Sequence, residues 1–349
     1  MRVRVLGAGI VGLSVAAELQ RRGHPVEVVD RSPGTGASYA AAGMLAPAAE
    51  VWHGETELLR LGSRSLALWP EYADRLGVRR HRTGTLLVGA DHGDLQQVER
   101  QAELLAALGH EVALLERGEL LDCEPTLASG VRGGLLLADE HSVDPRAVVA
   151  ALRAAVPVRA AADASPAEVT VVATGARLPE PWRGLVRGVR GEILRLRSDD
   201  PPRRTVRGWV HGDPVYVVPR ADGEVVVGAT SEEHDAPPVA TAGGVVRLLQ
   251  AARTLLPGLD RAAVTEVLAR DRPGTPDNLP LIGPAPARPG SEIGGRTVLA
   301  AGLYRHGVLL APLVAHLVAA HIEEGHVEPA VDPRRFERVH EERNTWRSR

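Results

Sequence analysis

Three observations predict an α/β fold (α+β overall). A strand-like run at residues 2–6 leads into Gly7-x-Gly9-x-x-Gly12 and then a helical pattern. A second buried, parallel-type strand starts at Val169 and ends in the turn Thr174-Gly175. Between about 186 and 230 the pattern changes to alternating strands, with the hairpin signal Asp222-Gly223 between two of them. Together these predict a Rossmann-like nucleotide-binding domain assembled from 1–80, 142–185 and 264–330. A mostly antiparallel sheet domain from 81–141 and 186–263 is inserted into it, and 331–349 forms a polar tail.

Residues 2–6 have the length and branching of a buried strand. From Gly12 to Arg22, residues Leu13, Ala16, Ala17 and Leu19 recur at helical spacing, and Gly23 is placed to close the helix. Val26–Asp30 is the next strand and completes a βαβ unit. Gly34–Ala49 is crowded with glycine and alanine, which let backbone lie against a flat ligand. Helices are predicted near 57–75 and over 95–108, and strands near 84–89 and at 135–138. Asp144 and Pro145 suit the N-cap and first position of a helix reaching Ala155. Strands at 192–196, 215–218 and 224–227 precede a helix at 242–255. A last helix is expected from Gly307 to about Glu324.

Composition excludes several functions. The 41 basic and 44 acidic residues leave a net charge of −3, without the basic surplus that a nucleic-acid coat needs. Every basic residue is arginine, so no lysine can form a Schiff base or act as a general base. Cys123 is the only cysteine, which rules out an intrachain disulfide and a thiolate metal cage and fits a reducing cytoplasm. Its acidic neighbours Asp122 and Glu124 would raise a thiol pKa, so a structural thiol is expected. The thirteen histidines show no metal-ligand spacing, and no metal is expected. The apolar run from Val308 to Ile322 is short of the ~20 residues that span a bilayer, so no membrane partner is expected.

The glycine turn permits close approach of backbone to a pyrophosphate at a helix N-terminus, and Asp30 is placed to accept from a ribose hydroxyl. That motif leaves NAD and FAD both open. The later turn at Thr174-Gly175, and Gly302–Gly307 leading into a helix, favour FAD. A helix N-terminus aimed at a ring oxygen would stabilise the negative charge of a reduced flavin. Arg272 and Arg305 are candidate carboxylate ligands, since a guanidinium binds a carboxylate through two parallel charge-assisted bonds.

Four motifs occur in order: Gly7–Gly12, Ala41-Ala42-Gly43-Met44-Leu45-Ala46-Pro47, Arg272-Pro273-Gly274-Thr275-Pro276-Asp277 and Gly302–Pro312. On these the chain resembles the D-amino acid oxidase family of flavoproteins, and within it the glycine-oxidising branch that serves thiamine thiazole synthesis. The resemblance runs from residue 1 to about 325. It implies FAD lined by Ile10, Val11, Asp30, Arg31, Ala37, Ser38, Ala42, Gly43, Met44 and the run Leu303, Tyr304, Arg305, His306, Gly307, Val308, Leu309, with an adenine contact near Ala162. It also implies that Arg272, Arg305 and Tyr216 bind the substrate carboxylate. With no cysteine near Gly302–Gly307, FAD is expected to be non-covalent. The implied activity is oxidation of a small amino acid, most specifically glycine. Hydride passes to flavin N5, O2 yields H2O2, and an imine is released. Sarcosine or D-amino acids are the alternative substrates, and a flavin-bound scaffold or electron-transfer subunit is the alternative role. His211 and Ser231 stand where relatives place an aromatic or a thioether near the pocket. A homo-oligomer is implied by the same resemblance.

Overall fold

The computed structural model describes residues 1–288 and 296–336. A six-stranded sheet runs in the order Leu281–Pro284, Arg296–Ala301, Val169–Val172, Val3–Leu6, Val26–Val29, Val158–Arg159. All its pairings are parallel except the edge pair Leu281–Pro284 with Arg296–Ala301. The strands are mostly valine and leucine, the composition of a sheet covered on both faces. The helices Ile10–Arg21 and Ala311–Glu324 pack against it and against each other, and share one buried core with Thr56–Leu76.

The second sheet has eight strands: Ala263–Gly274, Arg187–Arg197, Glu224–Gly228, Asp213–Pro219, Thr205–Val210, Thr85–Gly89, Gly133–Leu137, Leu114–Glu116. Its pairings are antiparallel apart from Thr205–Val210 beside Thr85–Gly89. The amphipathic helix Ala242–Leu255 covers one part of it and His92–Ala107 another. A small ribbon of Met44–Leu45, His141–Val143 and Arg80–His81 lies between the segments that feed the two sheets.

Most expected elements are present within a few residues, and several termini follow their local chemistry. The Asp144 carboxylate accepts from the Arg146 amide at 2.9 Å, as an N-cap should, with Pro145 in the first turn. Two expectations need correction. The stretch 263–274, assigned from 264 onward to the nucleotide domain, is a twelve-residue edge strand that pairs along its length with Arg187–Arg197. Its Arg-Asp-Arg-Pro-Gly sequence hides strand character, because one edge of the strand has no strand partner and charged side chains are tolerated there. The last helix begins at Ala311, not Gly307, and a turn over 307–310 leads into it. The strand Thr205–Val210 was not expected. Of the predicted tail, 337–349 lie outside the described residues.

The glycine turn is a packing necessity as well as a signature. A Cβ on Gly12 would lie 2.0 Å from the Gly7 carbonyl oxygen, and one on Gly7 would lie 2.3 Å from the carbonyl oxygen of Ala173. Gly12→Ala therefore forces backbone apart and should cost about 1–3 kcal/mol, read as a lower midpoint in thermal unfolding. Gly118, an exposed helical glycine with open space around its Cβ position, is the contrast. Gly118→Ala should raise the midpoint, by about 0.4–1 kcal/mol of stability.

Candidate active site

A single cavity of about 1230 Å³ runs from the glycine turn to the second sheet. At one end, Gly7, Gly9, Ile10 and Val11 line it. The helix starting at Ile10 has no side-chain cap from its own N-cap residue, Gly9. The Ile10 amide donates to Ser38 Oγ at 3.0 Å, while the amides of Val11 and Gly12 have no acceptor among the described residues. Those unpaired N–H groups and the helix dipole make this a place for anionic oxygens. Asp30 stands at the end of strand Val26–Val29 and lines the same end. Its Oδ2 accepts from the Ala8 amide at 2.7 Å and its Oδ1 from the Ser32 amide at 2.7 Å. The carboxylate thus fixes the turn while keeping lone pairs free for a hydroxyl.

The middle is floored by small residues. Ala40, Ala41, Ala42, Gly43 and Met44 line it, with Ala37 and Ser38 beside them. Ala40 and Ala42 pack on Ile193, Val218, Val226 and Leu268 of the large sheet, which joins this segment to the second domain. Arg220, buried behind, donates to the Ala42 carbonyl. Arg31, Ala162, Thr174 and Gly175 also line the cavity.

The far end brings Arg272, Tyr216 and Arg305 to one wall, with Thr230 and Ser231. Arg272 comes from the edge strand, and its guanidinium donates to the Thr230 and Arg190 carbonyl oxygens at 3.1 and 3.4 Å and meets the Tyr216 phenol. No carboxylate forms an ion pair with it among the described residues. Gly191 makes room for it, since a Cβ there would lie 2.4 Å from the guanidinium. Burial pushes the Tyr216 phenol up from its ordinary value, with Arg272 beside it pulling the other way, so it remains a proton donor. Arg305 differs. It pairs with Glu55 at 3.0 Å and donates to the Glu50 carbonyl, and its guanidinium lies over the Trp52 and Tyr304 rings. Leu303, Tyr304, Gly307 and Val308 line the cavity beside it, and Tyr304 takes a left-handed φ of 46°.

Three expected ligand contacts do not reach the cavity. Gly12 lies behind the turn, where it packs against Gly7. Leu309 is buried in the core of the first domain, and its carbonyl accepts from Ser65 and Trp69 at 2.6 and 2.8 Å. His306 is buried behind the loop with neither ring nitrogen hydrogen-bonded, and burial drives its pKa down to about 4, so it is neutral. His211 is likewise away from the pocket: it is exposed, with its ring 3.3 Å from Asp91. Ser231 does line it.

Sequence reading missed a buried ion pair in the wall. Glu50 and Arg207 both line the cavity and meet at 2.6 Å. Nearby Glu140 is 3% exposed; its Oε1 accepts from the Ala49 amide at 2.8 Å and its Oε2 has no partner. Burial pushes its carboxyl up to about 7 from an ordinary 4.5, against the pull of the Ala49 amide and Arg207. The folded state therefore holds the Glu140 proton after the unfolded chain has lost it, and stability falls as pH rises from 4.5 to about 7. Glu140→Gln should leave the melting temperature unchanged near pH 4.5 and raise it by a few degrees at about pH 8 in scanning calorimetry.

The chain is similar to known proteins over nearly its whole length. The family described as DAO, FAD dependent oxidoreductase, matches residues 2–321. A Rhizobium etli protein assigned to thiamine biosynthesis as the oxidoreductase ThiO is 39% identical over 348 residues, 94% of this chain and 99% of its own length. A glycine oxidase of Geobacillus kaustophilus is 31% identical, with 92% of each chain covered. The crystal structure of glycine oxidase from Geobacillus kaustophilus superposes with a TM-score of 0.80 at 29% identity, covering 93% of this chain and 95% of the other. With the family matched almost end to end, the chain belongs to the DAO family of FAD-dependent oxidoreductases.

Proposed function

We propose that this protein oxidises glycine, and secondarily other small amines, with non-covalent FAD, and that the imine product serves thiamine thiazole synthesis. The observation that carries this reading is Arg272: a half-buried guanidinium beside a phenol in the cavity, with no carboxylate paired to it among the described residues.

The residues present suit the cofactor. Free amides at the start of a helix receive the pyrophosphate, Asp30 a ribose hydroxyl, and Ala160–Ala162 with Thr174-Gly175 the adenosine end. The flat floor of Ala40–Gly43 and the loop Leu303–Val308 hold the ring system. Neither a cysteine nor a histidine lines the cavity among the described residues, so its walls offer no thiol or imidazole for a covalent link. When bound, FAD supplies the two-electron acceptor that takes the substrate hydride at N5 and passes the electrons to O2 as H2O2.

The chain's own part is positioning. Arg272 takes the carboxylate through paired N–H donors and Tyr216 adds its hydroxyl, which fixes the Cα hydrogen toward the acceptor. Gly191, Thr230, Ser231 and Pro214 line the cavity with them. Arg305, neutralised by Glu55, shapes the wall instead of supplying a free charge. The two relatives named for glycine oxidation or thiamine biosynthesis support the substrate and the role.

The purified protein should be yellow, release its flavin on acid precipitation, and lose absorbance at about 450 nm when mixed with glycine without air. Oxygen uptake with glycine, sarcosine, D-alanine and D-proline orders the substrates, and a rate confined to bulky D-amino acids would overturn glycine. Unbleached flavin with all four would favour a scaffold or electron-transfer role. Arg272→Ala should weaken glycine binding roughly 10²-fold with flavin content intact. Tyr216→Phe, which removes one donor to a charged group, should weaken it about 10-fold. Sedimentation velocity checks the homo-oligomer that belongs to this reading.

A further inference from the structure

One charged group at the substrate end has no task in binding a carboxylate. Glu50 ends the short helix Pro47–Glu50, is 6% exposed, and lines the cavity. Its Oε1 is held at 2.6 Å by Arg207 from the strand Thr205–Val210. Its Oε2 accepts no hydrogen bond among the described residues and lies 3.7 Å from His306 Nδ1. Asp30 and Glu50 are the acids that line the cavity among those residues, and Asp30 is at the glycine-turn end. The groups acting on Glu50 are Arg207, Arg305 and neutral His306, with Glu140 and Tyr216 close enough to feel its charge. Burial works to raise its pKa, and Arg207 and its neighbours more than offset that, so it is a carboxylate at neutral pH.

The chemistry assigns such a charge a use. The substrate ammonium first loses a proton to solvent; the neutral amine then gives up its Cα hydride to the flavin, breaking the C–H bond with the electron pair leaving on hydrogen. The nitrogen lone pair becomes the second C–N bond, and nitrogen gains a positive charge. A fixed negative charge beside that nitrogen stabilises the transition state more than the ground state, and burial keeps it from being screened. We infer that Glu50, positioned by Arg207, faces the substrate nitrogen and stabilises the iminium charge that forms there, so that the site oxidises amines and not the corresponding hydroxy acids. The inference rests on the proposed function, and it adds a catalytic residue and a substrate-class limit to it.

The test uses the FAD-loaded enzyme with acetate, which carries the carboxylate without nitrogen, and with glycine. Binding is followed by calorimetry, and anaerobic flavin bleaching by stopped flow across a pH series. Glu50→Gln should bind acetate within about twofold of wild type and slow bleaching by glycine about 10²-fold. Glutamine leaves Arg207 without its counter-charge, so the double variant Glu50→Gln/Arg207→Gln is measured beside it and should bleach as slowly. A wild-type rate in either variant, or acetate binding lost in both, overturns the inference and leaves the proposed function standing. Wild type bleached by glycolate as fast as by glycine overturns it without any variant. Wild type that glycine does not bleach overturns both readings together.

Discussion

At the end of the strand Ala263–Gly274 the Tyr304 amide donates to the Pro273 carbonyl at 2.8 Å. One residue earlier is Arg272, and next to Tyr304 is the loop that closes the ring end of the cavity. This hydrogen bond couples the strand that carries the substrate-side guanidinium to the loop that feeds the last helix of the cofactor domain. The packing of Ala40 and Ala42 on the large sheet and the ion pair of Arg146 with Glu266 act in the same sense. Together they set the distance between a bound carboxylate and a bound ring. Catalysis by positioning depends on that distance, because an error of about 1 Å costs orders of magnitude in rate.

Charge in this cavity is graded along its length. At the glycine turn, unpaired amides and the helix dipole favour anionic oxygens, and the one nearby acid is tied to main-chain amides. At the far end Arg207 and Arg305 are each matched by a glutamate, while Arg272 is matched by none among the described residues. Removing one partner of the Glu50–Arg207 pair would leave a charge unpaired in the wall, at a cost of about 3–5 kcal/mol. Of Arg207, Arg272 and Arg305, the protein thus leaves Arg272 available to an incoming carboxylate.

Much of this was legible in the residues because the signals were local. The glycine turn, Asp30, the Asp144-Pro145 cap and the helix Ala242–Leu255 each follow from a few adjacent residues. The family resemblance then supplied Tyr216, Arg272 and the loop Leu303–Val308, which the fold brings to one cavity. What escaped reading was non-local. Glu50 and Arg207 are separated by 157 positions, and neither has a neighbour that marks it as one of a pair. An acid at the end of Ala-Pro-Ala-Ala-Glu, in an otherwise apolar run, was the one signal that a buried carboxylate needed a partner. His306 and Leu309 were misplaced for a different reason: within a tight turn alternate side chains face away from the ligand, and a contiguous run cannot all line one surface.

The walls of the cavity come from both large sheets, so whatever fills its middle acts as an adhesive between them. A chain synthesised faster than flavin is supplied would fold with that seam open, and its small-residue floor would face water. The nucleotide would then act as a structural subunit, adding stability in proportion to the logarithm of its free concentration over its dissociation constant.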